Sequence, residues 1–405
     1  MTDSDRSTES MNPGSLRMTR LYCAYQFFFS LLLWVPIFYE FQKRVGLSDP
    51  DIFRIQSIYY VAFCVLELPT GYLADKLGAR WCLRAGALVL LASNLLPIFF
   101  QDYPGFLFHF LLIALSRSLV SGASSAYLYE SLRAAGISRR YQEVEGRARS
   151  YGLIGKVVCW GAVGFLMNWH LTLPYWLTAG SAAIAVAFAF LLPEVSGSQQ
   201  DRAGAGGLAV FDLGFLRALR AKPSLLLLML QGVAVFVMAR IVQVNLFQPI
   251  LKSKSFGVEA FGLVMALMSA VEALASYRSR TRMSPLKSVF WVTAGMGASL
   301  VVISGVGAWG TLGCLVVFSV CCGISFPIQK QLLNDAIPDS RFRATLLSME
   351  SLLDRAVCAG VVLVLGVYVS DGKIAEFLVI AGVVSTLAAG CVTLLYGWVC
   401  TRGQT

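Results

Sequence analysis

Residues 68–80 read Leu68-Pro-Thr-Gly-Tyr-Leu-Ala-Asp-Lys-Leu-Gly-Ala-Arg80. The stretch joins two mostly apolar runs, residues 52–73 and 81–100. Each matches the roughly 20 residues that a helix needs to cross a bilayer. At the junction lie two glycines, an aspartate and two basic residues. Gly71 lets neighbouring helices approach closely. Asp75 suits the positive N-terminal end of a nearby helix. Lys76 and Arg80 suit acidic side chains or lipid phosphates. The pattern predicts a short charged loop at a membrane surface.

Outward from this loop the apolar runs recur. The chain has 405 residues, 57% hydrophobic and 14% charged, against about 25% charged in soluble domains. Spans are expected near 20–41, 52–73, 81–100, 104–131, 147–168 and 172–192, then near 223–249, 257–276, 287–307, 309–333, 343–369 and 374–398. In lipid the backbone must satisfy its own hydrogen bonds, so these runs predict helices. The short alternating segments of a membrane β-barrel are missing. The expected fold is an all-α membrane protein with twelve transmembrane helices in two six-helix bundles. A polar stretch containing Ser196-Gly-Ser-Gln-Gln-Asp201 and Gly204-Ala-Gly-Gly207 divides the chain. The expected division is a tail at 1–19, a bundle at 20–192, a linker at 193–222, a bundle at 223–398 and a tail at 399–405. Two six-span halves suit a transporter with a midplane site.

The net charge is +10, but the basic residues sit in loops, which argues for orientation and against nucleic acid. Arg17, Arg20, Lys76, Arg80, Arg139, Arg140, Arg280, Arg282 and Lys287 fall on the side of the N-terminus, against Lys43, Arg44, Lys252, Lys254 and Lys373 opposite. This predicts a multi-pass protein of the cell inner membrane with both termini cytoplasmic. The cysteines are scattered without a C-x-x-C pair, and His109 and His170 are the only histidines. No zinc site is expected. No Walker A sequence occurs, so ATP drive within this chain is not expected, and no cofactor is. The partners expected are a small-molecule substrate, membrane lipids, and protons or another coupling ion. A monomer is expected.

The stretch Gly71-x-x-x-Asp75-Lys76-x-Gly78-x-Arg80 resembles the G-x-x-x-D-R/K-x-G-R/K-R/K signature of the major facilitator superfamily, with Ala79 at the first basic position after the second glycine. The resemblance implies a gating latch on the cytoplasmic side, made of Gly71, Asp75, Lys76, Gly78 and Arg80. The equivalent loop of the second half, Ser276–Pro285, has neither the aspartate nor the glycines, so the latch is one-sided. In the fourth span, Ser116-Arg-Ser-Leu-Val-Ser-Gly122 is similar to the superfamily's R-x-x-Q-G element, with the glycine one place late. The fifth span carries Gly155-Lys-Val-Val-Cys-Trp-Gly161 where antiporters have Gly-Pro. These features resemble a bacterial efflux-type or uncharacterised branch and leave the direction of transport open.

An ionisable residue deep in a span costs at least about 2.5–3.5 kcal/mol on insertion scales, so each is a candidate for function. The resemblance implies a cavity lined by the first, fourth, seventh and tenth spans. That puts Arg117 and Arg240 in opposite bundles, where guanidinium forks suit carboxylate or phosphate. The substrate-binding candidates are Arg117, Arg240, Lys156, Gln26, Tyr25, Gln243 and Gln329. The proton-coupling candidates are Asp354, Glu272 and Glu67, carboxylates whose proton affinity can follow solvation and partner. Glu350 and Asp354 share one helix face and could equally each be the acidic half of an ion pair that merely holds helices together. His109 reads as a packing residue. Gly161, Gly164, Gly313 and Gly323 read as close-packing positions.

The leading expectation is a secondary active transporter that exports a metabolite or drug with protons. The alternative is a transporter of an anionic metabolite such as a carboxylate siderophore. A receptor on the same fold would bind without flux. A membrane enzyme would need a cluster of His, Asp or Glu at one interface, and two isolated histidines argue against it.

The charge asymmetry yields a first prediction. Single cysteines placed near residue 10, near Gly204 and near residue 404 should all react only with a membrane-permeant reagent in intact cells. Labelling of any of them by an impermeant reagent added from outside would refute the orientation.

Overall fold

The structure is a computed structural model that describes residues 13–194, 223–278, 283–337 and 343–402, without the side chains of Asp75, 343–348 and 400–402. The described residues are helical and contain no strand. Twelve helical segments are long and apolar enough to cross a membrane: Pro13–Arg44, Asp49–Ala74, Ala79–Phe99, Tyr103–Ala134, Ser138–Trp169, Leu173–Leu191, Pro223–Ser253, Val258–Tyr277, Pro285–Gly305, Ala308–Ala336, Met349–Ser370 and Ile374–Val399. Each falls on an expected span. The expected linker, beyond Glu194, lies outside the described residues.

Packing repeats with a step of six spans. The third span packs on the fourth and the sixth, and the sixth on the first; likewise the ninth packs on the tenth and the twelfth, and the twelfth on the seventh. Small residues make these approaches close. The Ser116 hydroxyl donates to the Gly86 carbonyl at 2.7 Å, and Gly382 lies against the Gly297 backbone. Without a hydrophobic force between helices in lipid, such contacts drive association. Gly323 meets the Glu272 carbonyl in the same way, but a Cβ at Gly313 would meet no atom within 4 Å, so Gly313 is not a close-packing position.

The turn between the second and third spans is one residue, Gly78, between helices ending at Leu77 and starting at Ala79. Its φ of +89° is a conformation that glycine adopts without steric penalty. Two spans are interrupted. The first consists of helix Pro13–Ser30, a 3₁₀ turn at Val35–Ile37 and helix Phe38–Arg44. Pro36 has no N–H and disfavours helix at the residue before it. The Leu33 N–H, lost to the helix, donates to Thr178 Oγ1 at 3.0 Å. The seventh span is helix Pro223–Arg240, a π-helical turn at Ile241–Leu246 and helix Phe247–Ser253. Pro249 cannot donate to the Asn245 carbonyl, which removes one α-helical bond beside that turn.

The chain divides into two compact units. The first holds Met1–Trp34, Ala62–Cys159 and Trp169–Gly207; the second holds Val35–Val61, Trp160–Asn168 and Leu208–Thr405. Pieces of the first, second and fifth spans therefore belong to the second unit. Polar contacts fasten them there. Lys252 pairs with Glu40 at 2.7 Å, and the Glu40 N–H donates to Gln248 Oε1 at 3.1 Å. The Tyr60 hydroxyl donates to Asn245 Oδ1 at 2.9 Å, and the Ser57 hydroxyl to the Ala359 carbonyl at 2.9 Å. Glu40 also pairs with Arg44, which reaches Asn168, whose amide donates to Glu259.

Two glycines bring backbone onto backbone in this unit. A Cβ at Gly164 would collide with the Val258 carbonyl oxygen, and one at Gly262 with that of Trp160. Gly164→Val and Gly262→Val should each destabilise the protein by about 1–3 kcal/mol, the usual cost of overpacking, read as a lower melting temperature in detergent. Gly360→Ala, where a Cβ meets nothing within 4 Å, is the control. An unchanged melt for Gly262→Val would contradict this contact.

Candidate functional site

In the second unit, the seventh, tenth and eleventh spans line an open cavity of about 270 Å³. Arg240 lines it at the entry to the π-helical turn, with Gln243 inside that turn. The guanidinium Nη2 lies 3.0 Å from Asp354 Oδ2. Glu350, one helical turn before Asp354, lines the same wall, and both carboxylates are buried. The Glu350 carboxylate rests over Gly232, beside the Gln329 amide, in space that a Cβ at 232 would occupy. Gln329 donates to the Leu228 carbonyl at 2.8 Å, and Gln243 to Glu272 Oε2 at 2.6 Å. On the other flank Phe236 and Phe326 stack with centroids 4.9 Å apart, and the Lys330 ammonium sits over the Phe236 ring.

Two cations, Arg240 and Lys330, thus share the cavity wall with two carboxylates, Asp354 and Glu350. The wall is balanced in charge and still rich in polar groups. Asp354 Oδ1, Glu350 Oε1 and Gln329 Oε1 are buried without a hydrogen-bond partner among the described residues. A buried acceptor without a donor is costly, so these oxygens suit a ligand hydroxyl or amide, or a proton. The aromatic pair offers a stacking shelf for a ring.

The first unit holds the remaining candidates. Gln26 donates to the Tyr22 hydroxyl at 3.0 Å, and Tyr22 donates to Glu145 at 3.0 Å. Arg117 is half-buried, with no carboxylate within 4 Å among the described residues, and Lys156 lies within electrostatic reach of it. Tyr25 is fully buried and donates to the Leu83 carbonyl at 3.3 Å, so in this conformation it packs rather than lines a cavity. His109 is fully buried, with Nδ1 2.6 Å from the Ser93 carbonyl and edge-on contacts to Trp34 and Tyr175, which is a packing environment.

In the expected latch, Lys76 lies over the Tyr72 ring and Arg80 is 3.5 Å from Glu194. Arg84 donates to the carbonyls of Ala189 and Phe190 at the end of the sixth span, where cations are favoured. A Cβ at Gly71 would meet nothing within 4 Å, so the close approach expected there is not made. The side chain of Asp75 lies outside the described residues. Glu67 is half-buried in the last third of the second span.

Sequence reading passed over Phe236, Phe326 and Lys330, and weighed Glu350 without naming it a site residue. Lys330 carried a usable signal, a lone lysine following an apolar run. The two phenylalanines carried none, because aromatics abound in these spans. Glu40, near the end of the first apolar run, was also legible as a charge needing a partner.

The sequence profile of the Major Facilitator Superfamily matches residues 18–349. The chain belongs to that superfamily. It is 27% identical over 159 residues to the raffinose permease of Escherichia coli, a match covering 36% of this chain and 35% of the permease. The alignment therefore spans about a third of that relative's length. Two crystal structures of the nucleoside transporter NupG, one of them a point variant, share the fold. The variant superposes with a TM-score of 0.77 at 14% identity, covering 94% of this chain and 98% of that one; the other gives 0.75 at 15%, covering 95% and 99%. Likeness at that identity establishes the twelve-helix superfamily fold and nothing about the solute.

The Arg240–Asp354 pair can be tested as an ion pair. Arg240→Leu leaves a buried carboxylate without its cation, and should lower stability by the order of 3 kcal/mol. Adding Asp354→Leu should recover most of that loss, although the cavity chemistry is gone. Additive losses in the double-mutant cycle, measured by thermal melting in detergent, would mean that the two groups do not interact.

Proposed function

We infer that this superfamily member is a proton-coupled secondary transporter of a neutral, hydroxyl-bearing ring compound, working by alternating access in the cell inner membrane with both termini cytoplasmic. The observation that carries the reading is the Arg240–Asp354 pair on the wall of a charge-balanced cavity. A ligand with its own net charge would upset that balance in a region of low dielectric. A ligand with hydroxyls and a ring face finds acceptors at Glu350 and Gln329 and a shelf at Phe236 and Phe326. Asp354, held to Arg240 by one oxygen with the other unpartnered, is the group we assign to proton binding. Protonation would loosen its hold on Arg240 and free the guanidinium for the solute. Gln243 with Glu272 is the second coupling candidate. The names of the relatives, a raffinose permease and a nucleoside transporter, agree with this solute class.

The clamp around Glu40 and Lys252 would open when Val35–Val61 leaves the second-half helices, and the stretch Gly71–Arg80 would serve as a separate latch. A second reading, an organic anion, draws on Arg117 and Lys156 in the first unit. Arg240, which sequence reading assigned to the same anion, is already neutralised by Asp354, and this favours the neutral solute.

Purified protein in liposomes with an imposed pH gradient tests the reading. Labelled sugars or nucleosides should accumulate, and a protonophore should abolish the accumulation. Asp354→Asn should lose uphill movement and keep downhill exchange. Accumulation of carboxylates with no response to sugars or nucleosides would overturn the solute class. Accumulation that survives the protonophore would overturn the coupling.

A further inference from the structure

We propose that the second unit carries a lipid site, a groove on its bilayer-facing side that takes one acyl chain of a membrane phospholipid against the back of the π-helical turn. The groove measures about 430 Å³ and is lined by the seventh, eleventh and twelfth spans with Leu300 of the ninth; its lining includes Val242, Leu246, Val357, Gly360, Val364 and Ile380. Its floor is buried: Met238, Val242 and Leu246 are at most 4% exposed. Its rims are open: Val357, Val364, Ile380 and Val384 are 44%, 52%, 46% and 57% exposed. This is a recess with a closed bottom, unlike an evenly exposed lipid-facing helix side. Gly360 supplies part of the depth, since a Cβ there would meet no atom within 4 Å.

The lining decides the occupant. It contains no charged side chain, and Ser385 is its only hydroxyl. Helix partners in membranes meet mainly through small or polar residues; here Gly360, Ala381 and Ser385 are outnumbered by branched aliphatic residues, and the most exposed lining residues are Val and Ile. The twelfth span is also the least buried of the twelve, with 17% of its apolar window inside the protein. A mostly aliphatic recess with no charged anchor, open on the side where a membrane-crossing helix is most exposed, suits a hydrocarbon chain.

The groove shares its walls with the polar cavity. On the seventh span Val237, Met238, Ile241 and Val242 face the groove, while Phe236, Ala239, Arg240 and Gln243 face the cavity. On the eleventh, Asp354 lines the cavity and Val357 the groove, less than one helical turn later. One helix thickness therefore separates an inserted chain from the Arg240–Asp354 pair. The wall between them is a π-helical turn, a rare element found mostly at functional sites. A chain lodged there would hold the seventh and eleventh spans apart from behind and set the spacing of the ion pair in front.

The experiment uses the full chain in liposomes doped with a phospholipid bearing a diazirine midway along one acyl chain. After photolysis, label should concentrate several-fold on residues 237–246 and 357–385, relative to the exposed lipid-facing Val302 and Leu394. Gly360→Leu, which fills the recess, should remove the excess without changing the melting temperature. Ala381→Phe, on the opposite rim, serves the same purpose if the first variant folds poorly. Even labelling of all lipid-facing residues, or an excess unaffected by both variants, would overturn the site. So would chain-to-chain cross-linking from Val384→Cys, which would mean that a second copy covers this face. None of these readouts depends on the solute or on proton coupling.

Discussion

Hydrocarbon offers no hydrogen bonds to a peptide group, and every described element follows from that. A chain with a dozen apolar runs must wind each into helix, and it can unwind only where the released N–H and C=O groups find other partners. Both interruptions obey this. In the first span the freed Leu33 N–H goes to Thr178. In the seventh span the turn stays hydrogen-bonded in the π register, and the buried Asn245 side chain accepts from Tyr60. Irregular backbone is thereby confined to places where side chains of neighbouring spans converge.

The same medium governs charge. Arg240, Asp354, Glu272 and Glu40 are tolerable within spans because each is met by an opposite charge or an amide: Asp354 for Arg240, Gln243 for Glu272, Lys252 for Glu40. Pairs of this kind are weak sources of stability, because desolvation offsets much of the attraction. In the proposed transport cycle their value is that they can be exchanged. A proton, a hydroxyl or a competing carboxylate can replace one partner at little net cost. The polar cavity and the Glu40 clamp both lie where such an exchange would alter which helices are held together.

Close packing completes the arrangement. Glycines at 164 and 262 let the fifth-span segment Trp160–Asn168 lie backbone to backbone on the eighth span. Gly232 leaves room for the Glu350 carboxylate, and Gly360 leaves the apolar recess on the far side of the same wall. The seventh span thus meets a polar space on one face and an apolar one on the other.

Span number and approximate span limits were legible in the sequence, because they depend on the transfer free energy of about 20 consecutive residues, a local quantity. The connection after the second span was legible only as a short charged loop; that it closes in the single residue Gly78 was decided by the structure. The superfamily was legible for a related reason, since its signature lies within ten residues of one loop. The ion pairs were not. Arg240 and Asp354 are 114 residues apart, and Glu40 and Lys252 are 212 apart. In helices that are apolar nearly all round, no amphipathic period marks the face a charge will take. Tyr25 shows the consequence: its position on the first span suggested a cavity residue, yet its hydroxyl is buried against Leu83. Which side chain meets which is decided by helix rotation and depth. Tertiary packing alone sets these, because hydrocarbon rewards every apolar face equally.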